Sequence, residues 1–158
     1  MIKLANFFVS LSFAGYIKII PPGTFASFLS IVILFPIVEY KIISLEIFVF
    51  VFIIIFLLSL FFINKFSAST KSHDSKIIVI DEFLGIYLIL IFYEQIIIIN
   101  PYVTIVSIFI LFRFFDIFKI FPANIVDRKL KSAFGVILDD LIAGIYTIII
   151  LYIVNAYY

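Results

Sequence analysis

Three stretches of this chain run for close to a membrane thickness without a single charge: Ile47 to Ile63, Gln95 to Phe112 and Leu141 to Tyr158. A helix needs roughly 20 apolar residues to cross a bilayer core, and only helices or closed barrels satisfy their backbone groups there. The chain is 66% hydrophobic with a mean hydropathy of +1.35, against roughly 45–50% apolar content in soluble domains. A soluble core made from 158 residues could not hide that much Ile and Phe. The sequence therefore predicts an all-α integral membrane helical bundle, one domain spanning residues 1–158.

The inventory excludes several chemistries. Cysteine is absent, so disulfides, thiol nucleophiles and thiolate metal sites are excluded together. The one histidine is His73, which rules out mechanisms that need a histidine pair. Beside Asp74 it reads as a solvated loop residue, with a proton shuttle as the sharper reading. The net charge of +1 gives no general attraction to nucleic acid.

The N-terminus offers two readings. Lys3, the apolar run Leu4 to Ala14 and the small pair Ser12 and Ala14 resemble a signal peptide with its cleavage site. An uncleaved first helix, interfacial or inserted, is favoured because no exported soluble domain follows.

Polar segments divide the rest at Lys18–Ser27, Glu39–Glu46, Asn64–Lys76, Glu94–Pro101 and Arg113–Asp140. Pro21, Pro22 and Gly23 break the first, and Asn100-Pro101 reads as a turn. Lys65, Lys71 and Lys76 mark the third segment; Arg113, Lys119, Arg128, Lys129 and Lys131 mark the fifth. The positive-inside rule places these two in the cytoplasm, and about five crossings follow, with the Pro21-Pro22-Gly23 segment also cytoplasmic.

That topology brings the unusual polar residues to one face. Asp81 and Glu82 begin one crossing there, Asp116 ends another, Asp139 and Asp140 begin the last, and Gly23 and Thr24 begin the first. Asp127 lies between the last two. An ionised carboxylate at the centre of a bilayer costs about 2.5 to 3.5 kcal/mol on insertion scales. A chain with 13% charged residues that places acids beside its apolar runs points to ion handling or chemistry. The two acid pairs also echo each other, since each is followed by apolar residues and then Gly-Ile-Tyr, at Gly85 and at Gly144. Small residues allow membrane helices to pack closely, which would bring the pairs together.

Hard cations such as Mg2+ take carboxylate oxygens, and Asp81, Glu82, Asp116, Asp139 and Asp140 can supply them. Phosphate takes cations and helix N-terminal amides, which Arg113, Lys119, Arg128, Lys129, Lys131 and the Gly23-Thr24 turn can supply. Arg113, Asp116 and Lys119 are spaced by three, so local charge pairing along one helix face is the plainer account of those three. Together the groups suit metal-assisted hydrolysis of a phosphorylated lipid. The rivals are an ion-coupled transporter or channel subunit, whose acids would spread through the bilayer depth, and a structural subunit whose acids only pair with basic residues.

The motifs resemble a known family, phosphatidylglycerophosphatase A. Pro22-Gly23-Thr24-Phe25 with Ser27 resembles its PGTxxS motif. Val79-Ile80-Asp81-Glu82-Phe83-Leu84-Gly85 resembles its IVxDExxG motif, and the stretch from Phe112 to Tyr146 resembles its C-terminal FRxxDxxKPxPI…DR…GGxGIMxDDxxAG block. The departures are Ala26 for a common Gly, Ile120 for a Pro, and Ser132-Ala133 for Gly-Gly. The resemblance implies a Mg2+-dependent enzyme of the bacterial inner membrane, acting at the cytoplasmic face on phosphatidylglycerophosphate and releasing phosphatidylglycerol and phosphate. On that expectation Asp81, Glu82, Asp139 and Asp140 hold the metal or act as base. Asp116 is a further ligand or orients Arg113. Arg113, Lys119 and Arg128, with Gly23 and Thr24, hold the phosphate.

Overall fold

The computed structural model describes residues 2–17, 19–70 and 76–157, and every regular element among them is helical. His73, Asp74, Lys71 and Lys18 lie outside the described residues. The α-helices are α1 (Ile2–Val9), α2 (Pro22–Glu39), α3 (Leu45–Thr70), α4 (Ile80–Ile91), α5 (Tyr93–Ile96), α6 (Pro101–Phe118), α7 (Ala123–Lys129) and α8 (Ala133–Tyr157), with one 3-10 turn at Ala14–Tyr16.

Local chemistry sets the helix starts. Pro22 and Pro101 each sit in the first turn of their helix, where a missing N–H is not needed. Asn100 caps α6, its Oδ1 accepting from the Val103 N–H at 3.0 Å. Before α8, Ser132 Oγ accepts from the Gly135 N–H at 3.2 Å. The serine that replaces a family glycine thus supplies an N-cap contact.

Four helices, α2, α3, α6 and α8, are long and apolar enough to cross a membrane. The expected fifth crossing takes a different form. α4 has 12 residues, a rise of about 18 Å against a hydrocarbon core of about 30 Å. It ends at Phe92, and the four-residue α5 continues from there. Its length is explained by its position. Eight of its residues are buried, among them Leu84, Gly85, Ile86 and Tyr87, whereas α3 buries five of 26. α4 is the core of the bundle, surrounded by protein rather than lipid, so a full-length apolar cylinder is not required.

Close packing around α4 depends on glycine. A Cβ on Gly144 of α8 would stand 3.0 Å from the Gly85 carbonyl oxygen, and a Cβ on Gly85 would stand 2.5 Å from the Phe112 ring. The Gly-Ile-Tyr echo therefore marks a helix crossing where α4 and α8 meet backbone to backbone. Farther along, Tyr87 donates its hydroxyl to the Phe48 carbonyl at 2.9 Å.

α1 has eight residues, about 12 Å of helix, too short to span. Ala5 and Val9 are buried, and Phe8 packs against Phe62 of α3 with ring centroids 4.6 Å apart. The Val79 N–H donates to the Val9 carbonyl at 2.9 Å. α1 therefore braces the segment that leads into the acids of α4.

Candidate functional site

The start of α4, the end of α6, α7 and the early turns of α8 meet at one end of the bundle. They enclose a cavity of about 170 Å³ walled by Asp81, Glu82, Asp116, Asp127, Asp139 and Asp140, with Lys76 and Lys119. Three carboxylates converge most closely. One oxygen from each of Asp81, Glu82 and Asp140 lies within 4.8 Å of the others. Asp81 Oδ1, Glu82 Oε2, Asp139 Oδ1 and Asp140 Oδ2 are buried atoms without a hydrogen-bond partner.

That arrangement is costly without a ligand. Two unit charges 4.8 Å apart repel by about 3.5 kcal/mol at an effective dielectric near 20. Buried polar atoms are ordinarily satisfied, and each exception calls for an explanation. An octahedral Mg2+ with bonds near 2.1 Å separates its ligand oxygens by about 3 to 4.2 Å. The three oxygens are already close to that spacing, and carboxylates are the donor type such an ion takes. The residues fit the group.

The expected metal set is divided by the structure. Asp139 does not join the close triad: its Oδ2 accepts from Lys119 Nζ at 2.6 Å, leaving Oδ1 buried without a partner. Lys119 also bonds Asp127 Oδ1 at 2.5 Å. Burial by itself would weaken its hold on the proton, but the hydrogen bonds and attraction from Asp127 and Asp139 outweigh that and hold the ammonium above the ordinary lysine range. Lys119 takes this place because it ends α6 in the left-handed conformation, at φ 42.

Asp116 serves Arg113. Arg113 Nη1 lies 2.5 Å from Asp116 Oδ2, 3.9 Å from Glu82 Oε1 and 3.4 Å from Ser27 Oγ. The i,i+3 pairing expected from spacing is present, yet the same guanidinium reaches across to α4 and α2. Gly23 opens α2 beside it: a Cβ there would meet Glu82 Oε1 at 2.0 Å and Arg113 Nη1 at 3.2 Å. Thr24 follows in the same first turn.

Arg128, Lys129 and Lys131 are exposed, and none lines this cavity. Asp139 and Asp140 were expected to open the last crossing. α8 begins at Ala133 instead, so they sit almost two turns inside it, 7% and 4% exposed. The residues that sequence reasoning left without a role are Ser27, Lys76 and Asp127. Ser27 carried a signal, since it stands one helical turn after Gly23 and donates to the Gly23 carbonyl at 2.8 Å. Lys76 carried none beyond its charge.

The family model described as Phosphatidylglycerophosphatase A matches residues 7–155. The phosphatidylglycerophosphatase A of Haemophilus influenzae is 32% identical over 134 residues, covering 85% of this chain and 78% of that protein. The Escherichia coli protein of the same name is 31% identical over 83 residues, covering 52% of this chain and 46% of that protein. No solved structure matches.

Proposed function

The chain belongs to the phosphatidylglycerophosphatase A family, and from that premise we propose that it hydrolyses phosphatidylglycerophosphate to phosphatidylglycerol and inorganic phosphate with Mg2+ at the acid cluster. The observation that carries the metal is the triad of partnerless oxygens from Asp81, Glu82 and Asp140 within 4.8 Å. Its setting among Arg113 and Lys119 supports a phosphorylated ligand.

Each residue has a task in this reading. Asp81, Glu82 and Asp140 hold Mg2+, which when bound polarises a phosphoryl oxygen and makes water a better nucleophile. Asp139, with its free Oδ1 beside the triad, orients water and accepts its proton. Lys119 keeps Asp139 in place and carries positive charge toward the phosphate. Arg113, fixed by Asp116 and Ser27, offers its remaining donors to phosphate oxygens of the lipid headgroup. Gly23 lets the first turn of α2 approach Glu82 and Arg113 without a side chain in the way, and its N–H with that of Thr24 faces outward from a helix start. Arg128, exposed on α7, meets the substrate on approach. In the reaction the water oxygen bonds to phosphorus, the bond from phosphorus to the glycerol oxygen breaks, and that oxygen takes the proton that Asp139 accepted from the water.

The site belongs to the cytoplasmic face of a bacterial inner membrane in this reading. Lys76, Arg128, Lys129 and Lys131 stand at the acid end, as the positive-inside rule asks. The transporter alternative expects acids through the bilayer depth, whereas the described acids group at the two ends of the bundle. The test uses purified protein in detergent with phosphatidylglycerophosphate, with and without Mg2+. Phosphate release that depends on the metal and is lost in Asp81→Asn and Asp140→Asn is expected. No release, or release unchanged in variants that still fold, sinks the reading.

A further inference from the structure

The carboxylate cavity shares a wall with a larger hollow. This second space, of about 500 Å³, lies at the first turn of α2 against α4 and α6, and its lining includes Ile19, Ile20, Gly23, Lys76, Glu82 and Arg113. Lys76, Ile78 and Glu82 line both spaces. The two differ in charge. The smaller one has six acids against Lys76 and Lys119. The larger one has Lys76 and Arg113 against Glu82 alone. Among the described residues Lys76 forms no ion pair, and Arg113 Nε is a buried donor without a partner. The lip is apolar, with Ile19 94% and Ile20 45% exposed.

A hollow with surplus cations, an unused guanidinium donor and an apolar lip suits an anionic group attached to a lipid. The proposed substrate carries two phosphates: the terminal monoester that is cleaved and the phosphodiester that joins the headgroup to diacylglycerol. We infer that the larger hollow is the subsite for that phosphodiester, held by Lys76 and Arg113, and that Lys76 selects lipids carrying a second phosphate. This rests on the lipid phosphatase reading above. The terminal phosphate then enters the carboxylate cavity, with the glycerol between the two phosphates crossing the shared wall at Lys76 and Glu82. The acyl chains leave past Ile19 and Ile20 toward the membrane.

The experiment compares phosphatidylglycerophosphate with phosphatidic acid, a lipid monoester without the second phosphate, in the full-length parent, Lys76→Gln and Lys76→Arg. One charge-assisted contact corresponds to about a tenfold effect. The ratio of kcat/KM for the two lipids should fall about tenfold in Lys76→Gln, through KM for the two-phosphate lipid, and return toward the parent in Lys76→Arg. An unchanged ratio overturns the subsite while leaving the phosphatase reading intact. Equal slowing of both lipids also overturns it. A parent that releases phosphate from neither lipid overturns both readings. The melting temperature of each variant, expected to match the parent because Lys76 is exposed, separates lost recognition from lost folding.

Discussion

The two ends of the bundle use charge in opposite ways. At the end opposite the acid cluster, Lys41 pairs with Glu94 at 2.7 Å, with side chains 75% and 63% exposed, and Tyr93 donates to Glu39 at 2.7 Å. A cavity of about 330 Å³ lies there too, lined mostly by apolar residues such as Ile37, Phe48 and Leu90. The charges at its rim face solvent and have partners. At the acid end, carboxylates exceed cations and four buried carboxylate oxygens have no partner. Exposed pairs contribute little to stability, whereas buried unpaired charge is destabilising unless something binds it. The larger apolar space is therefore not the better candidate for chemistry; the smaller, charge-imbalanced one is.

The contrast can be broken most directly at the acid end. Asp140→Asn or Asp81→Asn should lower kcat by about a thousandfold or more, since loss of a metal ligand forfeits several kcal/mol of transition-state stabilisation. Melting in the absence of metal should stay level or rise in these variants, because repulsion has been relieved. A metal-free melting temperature that drops sharply would instead make the acids structural.

Ligand linkage gives the next effect. Mg2+ at about 100 times its dissociation constant should stabilise the parent by about 2.7 kcal/mol, read as a shift in thermal unfolding in detergent. The shift should shrink in Asp140→Asn and persist in Glu94→Gln at the opposite end. An equal shift in all three would place the ion elsewhere.

Helix spacing comes third. Gly144→Ala places a Cβ 3.0 Å from the Gly85 carbonyl oxygen, a backbone atom that cannot rotate aside. Overpacking of this kind costs about 1 to 3 kcal/mol. Activity should fall with it, because the same crossing sets Asp140 beside Asp81 and Glu82. Unchanged stability and turnover would show that the α4–α8 crossing does not set the site.

The smallest effects belong to the exposed pair. Lys41→Ala and Glu94→Gln should leave turnover within about twofold. Glu94, through its hydrogen bond and charge, holds the Lys41 proton above the ordinary lysine range. The contribution of a lysine raised in this way is fully present below its unfolded pKa and is lost only as pH rises through the folded value. Lys119 has the same sign. Neither pair should therefore alter stability between neutral pH and about pH 10. A change in the melting temperature difference between the parent and Lys41→Ala across that window would contradict the pairing.

Much of this was legible in the chain. The uncharged runs predicted the long helices, Asn100-Pro101 predicted the turn before α6, and basic residues marked the end where the acids gather. The short α4 was not legible as such, because Ile-rich sequence reads alike whether lipid or protein surrounds it. Within the site, spacing predicted the Arg113–Asp116 pair, which is local. It could not separate Asp139 from Asp140, since adjacent residues on a helix point about 100° apart and only the neighbouring helices decide what each meets. Nor could it bring Asp127 or Lys76 to the cavity, or Ser27 to Arg113, as each arrives from a different element.

By itself, then, the sequence determined an all-helical membrane chain with its acids beside its apolar runs, because hydrophobic length and charge placement act locally along the chain. Its motifs determined the family. The tertiary structure alone decided that Gly85 meets Gly144, that Asp81, Glu82 and Asp140 converge while Asp139 is held by Lys119, and that Arg113 bridges three helices. Those outcomes depend on contacts between residues far apart in the chain, and close packing rather than spacing fixes them.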